Sequence, residues 1–303
     1  FWQGVLVSVG CASPSYTISD RDGGIVTASG TLIDVAYTRV INDSSTAQVT
    51  IGVSGENCCA ELANIRSWRQ YLNIYRNEQF MWSGPIVSVD WSFDRVIVNA
   101  TDLIGLLDRR VPHQNLTYTS TDLATIAEDL IEDGFAPDDP GHTVTIVGPA
   151  GVTGGREYEQ NIGQTADHLR DLADAGIDFT AVGANIVILP ENFCDVVGRL
   201  SDEDLPEGVT VTEDGAQLAT RWVVAGADDT STSGTDVVGT AGGIDAYYGL
   251  LEQYIEQTTI TDTASADAAA AARLAVSTTA TTVDTQNVTL SPSANVDVLS
   301  LVP

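Results

Sequence analysis

The spacing of apolar residues changes period twice along the 303 residues, and this limits the possible folds more than any single motif does. Before Pro112 the pattern is that of strands. Val5 to Val9 is a run of strand formers, Ile25 to Val35 alternates irregularly, and Ala47 to Val53 alternates apolar and polar with period two. From Cys58 to Trp68 that period lapses, and Leu62, Ile65 and Trp68 or Arg69 stand at helical spacing, which predicts a short helix. Tyr71 to Tyr75 and Phe80 to Trp82 flank a connection at Arg76 to Gln79, and Ile86 to Trp91 and Arg95 to Asn99 flank another at Ser92 to Asp94. Two hairpins follow from this arrangement. Five or more short strands so spaced predict a barrel or a sandwich.

After Pro112 the period becomes helical. Leu123, Ile126, Ala127, Leu130 and Ile131 fall on one helix face, with Ser120 or Thr121 placed to cap its start and Gly134 to stop it. A second helix is predicted over Thr165 to Ala175, with Ala166, Leu169, Leu172 and Ala173 on one face and Gly176 as its stop. Strands at Thr143 to Val147, Ile177 to Val182 and Ile186 to Leu189 complete an α+β unit. Strand signals return at Val209 to Thr212 and Leu218 to Ala225. Gly226 to Gly243 is so poor in large apolar groups that a flexible loop is expected. Ala264 to Ala275 reads as a helix on propensity, and Thr281 to Leu290 and Val296 to Val302 as closing strands. The expected organisation is a β unit over 1–111, an α+β unit over 112–195 and a second β unit over 196–303.

Charge narrows the function. There are 42 acidic and 13 basic residues, a formal net charge of −29, and such a surface repels phosphate backbones, so specific nucleic-acid binding is not expected. Every basic residue is arginine. P-loop NTPases, Schiff-base and pyridoxal enzymes and protein kinases each need an ammonium at a fixed place, so those classes are excluded. No stretch approaches the roughly 18 to 20 apolar residues of a membrane span, and no basic segment before an apolar run marks a signal peptide. Cys11, Cys58, Cys59 and Cys194 lack C-x-x-C spacing and read as reduced thiols, with a bridge from Cys11 to Cys58 or Cys59 as the alternative.

No catalytic, cofactor or metal constellation emerges. Asp20-Arg21-Asp22-Gly23-Gly24 starts like a calcium loop but lacks the later ligands, so a hairpin turn is expected there. The acidic runs 136–141 and 201–208 could supply the carboxylate pair of a glycosidase, yet they sit among chain breakers and read as solvated loops. Gly148 to Gly155 is glycine-rich without a lysine or a following apolar helix, which argues against a phosphate cradle. His113, His142 and His168 are too scattered for a metal shell. The aromatics are denser: Trp68, Tyr71, Tyr75, Phe80, Trp82, Trp91 and Phe93 fall close together with Arg66, Arg69 and Arg76. Packing and cross-strand pairing account for many of them. Trp68, Arg69, Tyr71, Tyr75, Arg76 and Trp82 are the candidates for a subunit interface, where aromatics and arginine are enriched.

Several short strings then meet a known family. Cys58-Cys59-Ala60-Glu61-Leu62-Ala63-Asn64-Ile65-Arg66-Ser67-Trp68, Ile74-Tyr75-Arg76-Asn77 and Trp82-Ser83-Gly84-Pro85-Ile86 resemble the N-terminal half of minor tail proteins from long-tailed phages of actinobacteria. Ala100 to Arg110, Leu123 to Leu130, Gly176 to Thr180 and Tyr248 to Glu252 extend the resemblance over nearly the whole chain. That family is similar in fold to baseplate hub proteins. The resemblance implies a non-enzymatic virion protein with two tube-like β-barrel domains, over 1–111 and 196–303, and a small α+β domain between them. It implies a homotrimer at the tail tip, joining the distal tail protein ring and tube to a central fibre or tip protein. Such a hub surrounds the channel through which tape-measure protein and DNA leave, and its carboxylates should be denser on the channel wall than at subunit contacts. The competing expectation is a virion-borne carbohydrate-active or receptor-binding β protein.

Overall fold

A computed structural model describes residues 14–27, 31–53, 62–191, 193, 210–213, 218–227, 237–277 and 281–284. The period-two segments of the first unit become one antiparallel sheet. Its strands are β1 (Pro14–Asp20), β2 (Ile25–Thr27), β3 (Thr31–Tyr37), β4 (Thr46–Gly52), β5 (Gln70–Arg76), β6 (Gln79–Trp91) and β7 (Arg95–Thr101), in the order β2-β1-β5-β6-β7-β4-β3. Alternate residues of these strands, among them Ile18, Val49, Ile51, Leu72, Ile74, Ile86 and Val98, bury one face into a common core. The two hairpins form where the sequence places them. Asn77 and Glu78 take φ of 52° and 67° between Arg76 and Gln79, the doubly left-handed turn whose twist matches a two-residue hairpin.

The 13-residue β6 turns the corner of this sheet. Its first part pairs with β5 through Tyr71 and Pro85, and its second with β7 through Ile86 and Ala100. Gly84 sits at the bend because the β7 backbone crosses it: a Cβ there would stand 1.9 Å from the Thr101 carbonyl oxygen. Among the described residues the sheet is open, with β2 and β3 at its edges, so the described strands close no barrel. The helix expected over 58–68 lies partly outside the described residues. Its described part departs from the expectation, since residues 63–69 are chiefly turns and Trp68 has a φ of 62°. All four cysteines and the strand expected at Val5 to Val9 lie outside the described residues.

Beyond β7 the chain enters α1 (Leu103–Leu107), β8 (Leu116–Asp122), α2 (Leu123–Phe135), β9 (Thr143–Ile146), β10 (Thr153–Tyr158), α3 (Thr165–Ala173), β11 (Ile177–Val182) and β12 (Asn185–Pro190). β12 pairs antiparallel with β11 and parallel with β9, while β8 and β10 form a separate ladder. Two details differ from the sequence expectation. Asp122, not Ser120 or Thr121, caps α2, accepting from the Ala124 amide at 3.0 Å. Gly134 does not stop α2 but lies inside it; a Cβ there would crowd Leu107 and Thr165 at 3.2 Å, so its smallness lets neighbouring helices approach. Gly176, with φ of 128°, follows α3 as expected.

The last part holds β14 (Arg221–Ala225) between antiparallel β15 (Val238–Gly242) and parallel β16 (Glu252–Glu256), a short ladder of β13 (Thr210–Glu213) with β17 (Thr281–Asp284), and α4 (Thr263–Ser277). The segment expected to be a flexible loop thus contributes β15. Its small residues suit it to lie under α4: a Cβ on Gly239 would stand 2.0 Å from the Ala266 carbonyl carbon. Ala266, Ala269 and Ala270 of α4 enter the same core as Leu103, Ile126, Leu130, Phe135, Leu169 and Phe179. The strand expected at Val296 to Val302 lies outside the described residues.

One buried carboxylate joins the sheet to the helices. Asp102 directly follows β7, is 1% exposed, and accepts from the amides of Ser45 at 2.9 Å, Ile104 at 3.0 Å and Gly105 at 3.1 Å. Its own amide donates to the Ser45 carbonyl at 3.0 Å. Nearby, Asn42 exchanges backbone and side-chain bonds with Asp178 and Phe179, and Arg170 of α3 grips both Asp43 and Asp108. Burial pushes the Asp102 carboxyl from 3.8 up to about 6. The native state therefore holds this proton more tightly than the unfolded chain. Stability relative to Asp102→Asn is greatest below pH 4 and falls by about 3 kcal/mol as pH rises to about 6. Urea unfolding of both proteins from pH 4 to 7 checks this, and a difference independent of pH would refute it. Asp102→Ala strands three amides and is expected to cost about 2 kcal/mol or more at any pH. Gly84→Ala is expected to lower stability by about 2–3 kcal/mol in thermal unfolding, because the obstacle is backbone.

Candidate functional site

The turns over 63–69 lie across the corner of β6, and they gather arginine. The Gln70 side chain, itself buried, accepts from the Arg66 amide at 2.8 Å and donates to the Asn64 carbonyl at 3.3 Å, which closes the turn. The Trp68 amide donates to the Ile86 carbonyl at 2.6 Å. That bond holds the residue in the left-handed region, which a bulky side chain rarely enters without a compensating constraint. The guanidinium of Arg109, just beyond α1, stacks over the Trp68 ring at 4.6 Å from its centre.

Two acids knit the surrounding arginines together. Arg69 reaches Asp20 at 2.9 Å, while Arg21 and Arg110 both reach Asp138, at 2.8 Å and 3.2 Å. The Arg69 hydrogen bond holds the Asp20 carboxyl below its ordinary range, and Arg21 then Arg110 do the same for Asp138. Tyr71 stands half-buried beside them, its phenol raised by burial against the pull of Arg21. A cleft of about 170 Å³, lined in part by Asp20, Arg21, Tyr71, Leu103 and Pro140, opens next to this group. Arg109 thus stacks on the tryptophan, Arg21 and Arg110 stand near the tyrosine, and Arg69 holds Asp20, while the Arg66 guanidinium donates to the carbonyls of Ala63 and Ile65 in its own turn.

Of the six interface candidates, the structure brings Trp68, Arg69 and Tyr71 into this patch. Tyr75 and Arg76 belong to the β5–β6 hairpin end, where Tyr75 meets Phe80 edge to face at 6.1 Å. Trp82 is 3% exposed and fills the chain's own core, so it presents no surface to a neighbour. Sequence spacing missed Arg21, Arg109, Arg110 and Asp138, because they arrive from three other segments. Their common signal was scarcity: arginine is the sole basic residue, and residues 1–111 hold eight of the 13.

The other motifs resolve locally. The calcium-like string is the β1–β2 turn, with Gly23 at φ of 80°. Asp138 and Asp139 are each engaged, the latter with His142 at 2.7 Å, and both carboxyls are lowered, the direction opposite to a general acid. In the string Gly148 to Gly155, the amides of Ala150 and Gly151 bind the Asp122 carboxylate at 3.1 Å, so an internal anion occupies the place of a phosphate. The second acidic run, 201–208, lies outside the described residues. His113, His142 and His168 stand apart, with His168 against the Ile162 carbonyl at 3.0 Å. A groove of about 640 Å³ between α3 and α4 holds Arg273, bound to Asp174 at 2.8 Å and facing Trp222.

No protein-family model matches the sequence, and no curated protein matches it either. Solved structures do. The 43 kDa tail protein of prophage MuSo2 from Shewanella oneidensis superposes with a TM-score of 0.56 over 86% of this chain and 78% of its own, at 13% identity. The fold is similar to that of this tail protein. A tail protein from Neisseria meningitidis MC58 gives 0.54 at 13% identity over 84% of this chain and 74% of its own. The prophage tail protein gp18 from Listeria monocytogenes EGD-e gives 0.53 at 12% identity over 80% and 72%. At such identities the arrangement of strands and helices is shared while most side chains are not, which is in keeping with the absence of a match among family models and curated proteins.

The strained Trp68 yields a test of the patch. Trp68→Ala keeps the left-handed backbone without its ring, whereas Trp68→Gly removes the strain as well. The glycine variant is expected to be the more stable by about 1 kcal/mol in urea unfolding. An alanine variant equal to or better than the glycine one would show that the backbone there is unstrained.

Proposed function

We propose that this chain is a structural subunit of a phage tail hub, at the distal end of the tail. The observation that carries the reading is the fold shared with three tail proteins, two of them from prophages, over 80% or more of the chain. The short sequence strings around Trp68 and Trp82 point the same way, toward long-tailed phages of actinobacteria. In this reading three copies form a ring, each contributing two tube-like β domains over 1–111 and 196–303 and the α+β domain over 112–195. Two β domains per copy give pseudo-sixfold symmetry, which lets a threefold fibre or tip protein meet a sixfold tube and distal tail protein ring.

Open sheet edges support the reading. β2, β3 and β16 each offer one unpaired side among the described strands, and exposed edges are normally covered by another chain or segment. The acidic surface is suited to a channel through which tape-measure protein and DNA pass, because like charge keeps the phosphate backbone from adhering. The role is mechanical rather than catalytic: the candidate carboxylates at Asp138 and Asp139 serve as partners of arginine and histidine. Native mass measurement on the assembled protein is expected to give three copies. A species that stays monomeric, or closes with an even number of copies, would contradict the ring, and glycan hydrolysis by the purified chain would contradict the non-enzymatic role.

A further inference from the structure

A second exposed surface lies at the other end of the chain. Between β15 and β16 the main chain makes a tight loop in which Asp245 and Gly249 exchange backbone bonds of 2.8 Å and 3.0 Å. The Asp245 carboxylate also accepts from the amides of Tyr247 and Tyr248, at 2.7 Å and 2.8 Å. This fixed loop turns apolar groups outward. Ile244 is 82% exposed and Tyr247 87%, and Tyr248, Leu250, Leu251 and Tyr254 continue the surface along the edge strand β16. Exposed apolar groups gathered in this way mark contact sites. Beside the tyrosines stand Asp245, Glu252 and Glu256, with Glu252 paired to Arg221 at 2.6 Å and Glu256 accepting from the Tyr254 hydroxyl at 2.9 Å, so the rim keeps a net negative charge.

Charge identifies the occupant. Residues 1–111 carry eight arginines against 11 acids, whereas 112–195 carry two against 15 and 196–303 carry three against 16. A chain of net charge −29 repels its own copies unless they meet where the arginines are concentrated. That place is the patch around Trp68. We propose that the Tyr247 loop of one copy docks on the Trp68–Arg69–Arg109 patch of a second copy. Tyrosines then meet a stacked tryptophan and arginine, and the net-acidic rim comes beside Arg109, stacked on Trp68, and Arg69, which also holds Asp20. The contact uses two different surfaces, so it is head-to-tail and can close a ring. It rests on the ring reading above and specifies which surfaces make the ring.

Two variants test the pairing, one with Arg69→Glu and Arg109→Glu, the other with Tyr247→Ser and Tyr254→Ser. Each alone is expected to raise the concentration for assembly on the order of tenfold or more, since central aromatics and arginines dominate such contacts. Mixed in equal amounts, the two should give a dimer and nothing larger, because each retains the surface the other lacks. Hydrogen exchange on the unaltered protein provides a check independent of variant folding: residues 63–70 and 244–254 should become protected together on assembly. A wild-type protein that stays monomeric at every concentration overturns the ring reading itself. A wild-type ring with no dimer from the mixture, or with either segment unprotected, overturns only the pairing.

Discussion

The described structure turns on one buried carboxylate. Asp102 stands where the sheet ends and the helices begin, and its oxygens collect the amides of Ser45, Ile104 and Gly105. Without it, the β3–β4 loop and the start of α1 would each bury an unpaired donor, which is costly in a site shielded from water. Its position also explains Gly84, since the corner of β6 must pass directly over the Thr101 carbonyl for β7 to deliver Asp102 to that place. Burial opposes ionisation while three amides favour it, and the balance leaves the carboxyl near 6.

From this joint the remaining contacts follow in order. With Ser45 fixed, the same loop carries Asn42 and Asp43 to β11 and α3, where Phe179 and Arg170 receive them. With α1 fixed, Arg109 and Arg110 emerge beside Trp68 and Asp138. The arginine patch is thus a consequence of the sheet-to-helix joint rather than a separate module. At the far end, α4 lies so close on β15 that only glycine fits at 239, and its alanines share the core of α2 and α3.

Much of this was legible from spacing alone. The period-two runs at Ala47 to Val53 and Tyr71 to Tyr75 are strands, and the i, i+3, i+4 pattern at Leu123 is a helix, because those periods reflect one buried face. What spacing concealed were positions set by close approach. Gly134 looked like a helix stop but serves helix packing, and the small residues of Val238–Gly242 looked like a loop but lie under α4. The β8–β10 ladder was hidden for another reason: polar Arg156 and Glu157 interrupt its pattern, and Arg156 is buried against the last part of the chain. Half of the interface candidates gather in the patch; Trp82 does not, since alternation within β6 turns it to the core. Its arginine partners came from distant segments that no local pattern links.

Together with the likeness to solved tail proteins, these features are what the proposed hub subunit would need at its contacts with neighbouring copies. The acidic excess of residues 112–303 is the reason the first β unit is the proposed receiver of a second copy. The most direct test is electron cryo-microscopy of the intact phage tail with this chain identified in the density. The account predicts three copies at the distal end, arranged around the central channel. Finding the chain in sixfold rings along the tube, or only within a peripheral fibre, would contradict it.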